Sequence, residues 1–293
     1  MSKISLFGLG AMGQALAHRY IDTGFTTTVW NRTPEKAQSS GLIQKGAHQA
    51  LTVAEGLEAA DLVILCLLDN ASVKETLSKA VTSLSGKTIV NLTNGTPTQA
   101  RDLSEWAAAH GAAYIHGAIM AVPDMISSGS PHSVLLYSGK STEVFARIEP
   151  DLAHLGAVKF LGTDPGSASL YDLALLSGMY GLFSGFFHST ALVRSQSGTT
   201  AEGFLELLTP WLGAMTHYLG GLAKQIDSGE YTTQGSNIAM QVAGVENIIA
   251  ASEEVGVTPA LILPIQKLMK RAAEEGHGIA DVSAVIEYMR TRE

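Results

Sequence analysis

The sequence predicts a doubly wound α/β domain followed by an all-helical domain. Three observations carry that prediction. Short β-like runs alternate with helical stretches through the first half. A glycine-rich turn joins the first run to the first helix. Beyond residue 166 only helical periodicity remains. Strands separated by helices form a parallel sheet covered on both faces.

Each element has a local reason. Lys3–Phe7 is strand-like, Ala11 to Thr23 reads as a helix ending near Gly24, and Phe25–Trp30 is rich in β-branched and aromatic residues. Leu62–Leu68 is a continuous apolar run, as a parallel strand buried on both faces requires. Thr88–Leu92, Ala113–His116, Ser133–Tyr137 and Val158–Leu161 continue the series. The pattern changes at Gly162-Thr-Asp-Pro-Gly166. Further on, Thr209-Pro210 and Thr258-Pro259 each place an N-cap residue before a proline at a first helical position. Asp227–Glu230 and Gly276–Gly278 read as breaks between helices.

Bulk properties agree with a two-domain globular chain. There are 293 residues, more than one hydrophobic core usually serves, with 46% hydrophobic and 16% charged residues. The net charge of −8 and the lack of a Lys/Arg cluster argue against nucleic-acid binding. Through residue 165 there are 12 Lys/Arg against 14 Asp/Glu, and after it 7 against 13. The nearly neutral half is the one suited to a phosphorylated ligand. The single cysteine, Cys66, lies in an apolar run and reads as a packed thiol. With no secretion signal at the N-terminus, a soluble, reducing, cytoplasmic setting is expected.

Between Leu173 and Val193 there is no Asp, Glu, Lys or Arg, a stretch long enough to cross a bilayer. It is nevertheless rich in Gly and Ser, carries His188 and has no cationic flank before it. A helix covered on all sides by protein accounts for it better, with Gly181 and Gly185 admitting a close backbone neighbour. Just upstream stands one carboxylate, Asp172, among apolar and small residues. An ionised carboxylate buried without a partner costs several kcal/mol or takes up a proton. Asp172 therefore either reaches solvent or serves chemistry.

Gly8-Leu-Gly10-Ala11-Met12-Gly13 is a G-x-G-x-x-G turn between a strand and a helix, with a second strand following, which is the context of dinucleotide binding. The first glycine permits the tight turn, the second lets backbone approach a pyrophosphate, and the third packs helix on sheet. The helix N-terminus turns its positive end to the phosphates. An NAD-selective site would place Asp or Glu at the end of the second strand. Here stand Asn31, Arg32 and Thr33, with Lys36 one turn later. Arg grips phosphate bidentately, so a 2′-phosphate and NADPH rather than NADH are expected. Thr33-Pro34 also starts a helix on local grounds, and both readings hold together. Leu67 and Leu68, closing the third apolar run, join the cofactor set. Asn94, in Thr93-Asn94-Gly95 after the strand at Thr88–Leu92, lies at the carboxyl edge of the sheet. It is there to meet the nicotinamide ribose or substrate, or Asn-Gly is simply a turn.

The fingerprint, the Asn-Arg-Thr triplet, Gly117–Pro123 and the helix with Asp172 together resemble the NADPH-dependent imine reductases. Asn94, Asp172, Tyr180, Trp211, Met240 and Gln241 are similar to the fungal reductive aminase branch. The resemblance covers essentially the whole chain. It implies a Rossmann-type NADP(H)-binding domain over 1–163, an interdomain helix over 164–195, and a helical substrate and dimerisation domain over 196–293. The related β-hydroxyacid dehydrogenases carry a catalytic lysine on the corresponding helix and an asparagine one turn later. This chain departs from them with Asp172 and Leu176. A cationic acid suits an alkoxide product, whereas a carboxylate suits an iminium ion, which starts charged and ends neutral.

The resemblance makes Asp172, Tyr180 and Asn94 the catalytic set. Met120, Trp211, Met240, Gln241, Leu173 and Leu176 become substrate-pocket residues, with Met125 as further apolar wall. Tyr180 is eight residues beyond Asp172, roughly 12 Å along a straight helix, so the two would flank a substrate without touching. By sequence alone Trp211 reads as core rather than site, and only the resemblance reverses that order. For Tyr180 a core tyrosine with its hydroxyl satisfied locally is the alternative reading. The resemblance also implies a homodimer with exchanged helical domains. Substrates would be a ketone or aldehyde with a small amine, or a preformed imine.

No histidine pair has metal-ligand spacing, and a Cys-His cluster is impossible with one cysteine, so no metal is expected. His116, His188 and His217 read as packing or polar-core residues. No G-x-S-x-G elbow points to acyl transfer. Two alternatives stay open. One is a carbonyl reductase of the hydroxyacid dehydrogenase type, which lacks its lysine here. The other is a non-catalytic NADP(H)-binding protein, for which a replacement carboxylate would be superfluous.

Overall fold

The structure, a computed structural model, describes residues 2–233 and 235–290. The chain divides into two compact units, Met1–Ser177 and Gly178–Glu293.

The first unit is built on eight strands: β1 (Lys3–Phe7), β2 (Thr26–Trp30), β3 (His48–Gln49), β4 (Leu62–Leu65), β5 (Thr88–Asn91), β6 (Ala113–Met120), β7 (Val134–Ser138) and β8 (Ala157–Phe160). Their order across the sheet is β3-β2-β1-β4-β5-β6-β7-β8, the reversal beside β1 being the switch point of a doubly wound fold. The helices of this unit include α1 (Ala11–Asp22), α2 (Glu35–Ser39), α3 (Val53–Glu58), α4 (Asn70–Ser78), α5 (Pro97–Ala109), α6 (Pro123–Ser128) and α7 (Thr142–Leu152).

Both faces of the sheet are dry. In β4, Leu62 and Ile64 enter one core with Ile4, Leu16 and Val90, while Val63 and Leu65 enter the other with Phe7, Leu77 and Ile89. Burying each such side chain stabilises the fold by about 1.5–3 kcal/mol. That explains why an unbroken apolar run, not an alternating one, marks this strand.

The sheet departs from the all-parallel expectation at one ladder: β6 and β7 are antiparallel, pairing Met120 with Val134. The reason is reach. Returning alongside the eight residues of β6 requires about 26 Å. The six-residue α6 rises only about 9 Å before left-handed Gly129 ends it. The chain therefore re-enters the sheet at the end it left. The two-residue β3 was too short to show in the sequence pattern.

A clamp opens the long helix α8 (Ser167–Arg194). Arg101 grips Asp164 through two hydrogen bonds of 2.8 and 2.7 Å, and Asp164 also accepts from the Gly166 N–H. The guanidinium holds the Asp164 carboxyl down at about 2. Ser138 Oγ donates to the Pro165 carbonyl and accepts from the Ala168 N–H.

The second unit is helical, with α9 (Ala201–Ser228), α10 (Ile238–Glu254), α11 (Leu263–Ala272), a π turn over Ala273–His277 and a 3-10 segment over Val282–Tyr288. Among the described residues its one β feature is a bridge between Thr232 and Ala280. Ile238, Met269, Ala272, Ala284, Val285 and Tyr288 form its core. The expected breaks occur at left-handed Gly229 and at Gly276, whose φ is 106°.

Two expected helix starts are corrected. Pro210 lies inside α9, which begins at Ala201 with the Thr200 side chain accepting from the Gly203 N–H. The apolar residues before Pro210 carry the helix through it, so Thr209 is no cap. Pro259 belongs to a turn, where its carbonyl accepts from the N–H groups of Ile262 and Leu263, and α11 begins at Leu263.

The expectation of an α8 covered on all sides is not met within one chain. Leu170, Tyr171, Leu175, Met179, Tyr180, Leu182, Phe183 and Phe187 are all exposed. By length and composition alone, this helix could cross a membrane.

Candidate active site

The residues of the glycine-rich turn meet at the carboxyl end of β1. Gly8 has a φ of +102°, and a Cβ there would overlap the Cys66 carbonyl oxygen. A Cβ on Gly13 would overlap the Gly8 carbonyl, whereas Gly10 has nothing within 4 Å. Packing of loop, strand and helix thus demands the outer two glycines. The middle one leaves bare backbone open to a ligand. No side chain caps the start of α1, so its first N–H groups stay available to an anion.

A cavity of about 430 Å³ surrounds this turn. Gly8, Gly10, Ala11, Met12 and Gly13 form its floor. Asn31, Arg32, Thr33 and Lys36 line it from the end of β2 and the start of α2, and Leu67 and Leu68 from the loop after β4. Arg32 and Lys36 are exposed and make no ion pair among the described residues. Two unpaired cations beside open backbone and a free helix N-terminus fit a dinucleotide with an additional phosphate.

Asn31 plays a different part from its neighbours. Its Oδ1 accepts from the Leu9 N–H at 3.0 Å and its Nδ2 donates to the Thr33 carbonyl at 3.0 Å. The side chain ties the glycine turn to the Arg32 loop. Ser72, Glu75 and Thr76 of α4 and Lys79 at its C-terminal cap also line the cavity and escaped the sequence reading. Their i, i+3, i+4, i+7 spacing was the available signal, since it marks one helix face. Cys66 lines the cavity as well, its thiol pushed up to about 11 by burial, which leaves it protonated and unreactive at neutral pH.

Asp172, 78 residues away in sequence, meets the loop after β5. Asn94 Nδ2 donates to Asp172 Oδ2 at 2.7 Å. Asp172 is 7% exposed, whereas Asn94 is exposed. Burial raises the Asp172 pKa and the Asn94 hydrogen bond partly opposes the rise. A buried carboxylate with one amide partner is poised both to carry a proton and to attract a cation. No Lys or Arg pairs with it among the described residues. Leu173 and Leu176, half-buried, follow it along α8, and half-buried Met120 packs against Ala118, Leu136 and Ala168. Met125, also half-buried, lies on α6.

The remaining expected pocket residues belong to the second unit. Tyr180 is exposed, its ring set edge-on to Phe183, and its hydroxyl makes no hydrogen bond among the described residues. Trp211 on α9 and Met240 on α10 are each 61% exposed, so neither is a core residue of this unit. Gln241 Nε2 donates to the Ser236 carbonyl at 2.9 Å. His188 pairs with Ser252 Oγ at 3.1 Å and His217 with the Gly213 carbonyl at 2.8 Å, both as local fasteners.

Comparison with known proteins gives a consistent picture. Residues 164–291 match the family described as NADPH-dependent reductive aminase-like, C-terminal domain, and residues 3–162 match the NAD binding domain of 6-phosphogluconate dehydrogenase. An NADPH-dependent reductive aminase of Aspergillus oryzae is 60% identical over 99% of this chain and 98% of its own. The structure of a reductive aminase from Aspergillus terreus in complex with NADPH4, cyclohexanone and allyl amine is 56% identical, covers 99% of each chain and has a TM-score of 0.93. An imine reductase from Myxococcus stipitatus in complex with NADP+ is 30% identical over 99% of this chain and 100% of its own, with a TM-score of 0.91.

Proposed function

From the premise that the chain belongs to the NADPH-dependent reductive aminase family, we propose how its own residues carry the reaction. The protein is an NADPH-dependent oxidoreductase that reduces C=N bonds and couples carbonyl compounds with amines. The observation that carries our reading of the site is the buried Asp172 carboxylate held by Asn94, with no Lys or Arg paired to it among the described residues.

Gly8, Gly10 and Gly13 with the start of α1 hold the pyrophosphate, and Arg32, Thr33 and Lys36 hold the 2′-phosphate. Bound there, the reduced nicotinamide supplies a hydride to the carbon of the C=N bond. Asp172 attracts the iminium cation into an apolar cleft, where a lysine would repel it. In condensation, Asp172 takes a proton from the ammonium so that nitrogen can attack the carbonyl carbon. It then returns that proton to the departing hydroxyl, which leaves as water. Its raised pKa suits both transfers. Tyr180 orients the substrate, Asn94 steadies Asp172, and Met120, Leu173, Leu176, Trp211, Met240 and Gln241 serve as substrate contacts.

The test is a ketone with an equimolar small amine. If the protein promotes condensation, turnover at equimolar amine stays within about threefold of that in large excess. A rate that simply tracks the imine present in solution would confine Asp172 to the reduction step.

The proposal includes a homodimer with exchanged helical domains. Its support is the apolar surface that α8 leaves bare, joined by Leu207, Trp211 and Leu219 of α9, an unusual exposure for a soluble monomer. Light scattering at micromolar concentration should give twice the 30.8 kDa of one chain. A monomer mass would overturn the arrangement. A reducing cytoplasmic location fits the free thiol of Cys66 and the NADPH requirement.

A further inference from the structure

Beneath the loop that carries Asn94 lies a group of polar side chains that no step above uses. Asn91 closes β5, a strand whose other residues pack in the sheet interior, and it has no solvent exposure. A buried amide is costly unless its donors and acceptor are all engaged. Asn91 engages them in three directions. Its Nδ2 donates to Asn70 Oδ1 at 2.8 Å and to the Tyr114 hydroxyl at 3.0 Å, and its Oδ1 accepts from the Thr93 N–H at 3.0 Å.

Each partner extends the network. The Tyr114 oxygen, which accepts from Asn91, also pairs with His116 Nδ1, 3.1 Å away. Burial lowers the His116 pKa to about 4, so the ring is neutral at the pH of the reaction. The Thr93 hydroxyl oxygen accepts from the Leu67 N–H at 3.0 Å, and Leu67 lines the cofactor cavity.

The network grips both neighbours of Asn94. Thr93 is held through its N–H by Asn91. Gly95 lies so close to the Asn70 amide that a Cβ there would overlap it, and the Gly95 carbonyl accepts from Ser169 Oγ. Asn94 itself is exposed, and Asp172 is its only hydrogen-bond partner for the side chain among the described residues. Its aim therefore depends on what fixes the residues either side.

We propose that Asn91 is a positioning residue for the reaction. Through its buried network with Asn70, Tyr114 and His116, it sets the Thr93–Asn94–Gly95 loop and thereby the Asp172 carboxylate. This rests on the reading of the Asn94–Asp172 pair given above. Were Asn91 replaced, the loop would keep its sequence and lose its register. Misplacement of a catalytic group by about 1 Å costs on the order of a hundredfold in rate.

The experiment compares Asn91→Ala, Asn94→Ala and the double variant in NADPH-driven reduction of a cyclic imine. The readouts are kcat, KM, the pH–rate profile and NADPH affinity. Asn91→Ala should lower kcat about 10- to 100-fold with NADPH affinity within about threefold of the parent. It should move the acid limb of the profile to higher pH, as Asn94→Ala does, because a carboxylate that loses its donor titrates higher. Since Asn91 acts through Asn94, the double variant should be no slower than Asn94→Ala alone. An unmoved profile, or losses that multiply, would overturn the inference. If Asn94→Ala itself leaves rate and profile unchanged, the reading of the pair fails and this inference falls with it. Should Asn91→Ala not fold, Tyr114→Phe decides the matter. It removes one hydroxyl and keeps the ring, and a profile that fails to move upward counts against the proposal.

Discussion

Asp172→Ala should lower kcat for reductive amination by about 10²–10⁴-fold, the range expected for loss of a positioned proton carrier. The cavity lined by the glycine turn, α2 and α4 does not include Asp172, so cofactor affinity should stay near that of the parent protein. Loss of NADPH binding alongside activity would mean that the variant had disturbed the fold, not the chemistry. Asp172→Asn sharpens the test, because it keeps the shape and the capacity to accept from Asn94 while removing charge and proton transfer. Reduction of a preformed imine should then suffer through weaker attraction of the cation, and condensation through loss of the shuttle. A variant with near-parental turnover on ketone plus amine would remove Asp172 from the mechanism.

The pH dependence follows from the direction of the Asp172 shift. Burial raises its folded-state pKa, so the folded protein holds this proton more tightly than the unfolded chain does. The penalty on stability is absent below the unfolded pKa of about 4 and grows as pH rises through the folded value. Asp172→Asn should therefore melt higher than the parent at pH 7, with the gain vanishing below about pH 4. Activity shows the complementary limb. It falls with decreasing pH as the carboxylate takes up its proton, and in Asp172→Asn that limb disappears. A stabilised, slow variant is what a functional buried charge produces.

Arg32→Ala carries the second large effect, on cofactor choice. A charge-assisted hydrogen bond contributes about 1.5–3 kcal/mol, or roughly ten- to a hundredfold in affinity. KM for NADPH should rise by about that factor, while KM for NADH, which lacks the 2′-phosphate, stays within about twofold. Arg32→Lys should recover part of the loss, since an ammonium keeps the charge without the planar fork. Equal changes for both cofactors would place the recognition of the 2′-phosphate elsewhere, with Lys36 and Lys79 on the same cavity the next to examine.

Much of the site was legible because its signals are local. The glycine turn reports itself through spacing, and Gly8 and Gly13 sit where any Cβ would collide with backbone. Arg32 stood out by occupying the position where an NAD-selective site would place a carboxylate. Asp172 stood out as one charge in an apolar helix. The buried junction at Asn91 escaped notice because its meaning depends on distant partners. Nothing in Thr88–Asn91 distinguishes a strand ending in a turn-forming asparagine from one ending in a buried junction. Only the approach of Asn70 and Tyr114 from other elements makes that difference.

The sequence by itself determined the two-part architecture, the glycine turn, the Asn-Arg-Thr triplet at the end of β2 and the candidate carboxylate, because periodicity, glycine spacing and an out-of-place charge are all short-range properties. The tertiary structure alone decided the antiparallel β6–β7 ladder, the passage of α9 through Pro210, and the pairing of Asn94 with Asp172 across 78 residues. Those outcomes rest on reach, packing and hydrogen-bond geometry between segments, quantities that exist only once the chain has closed on itself.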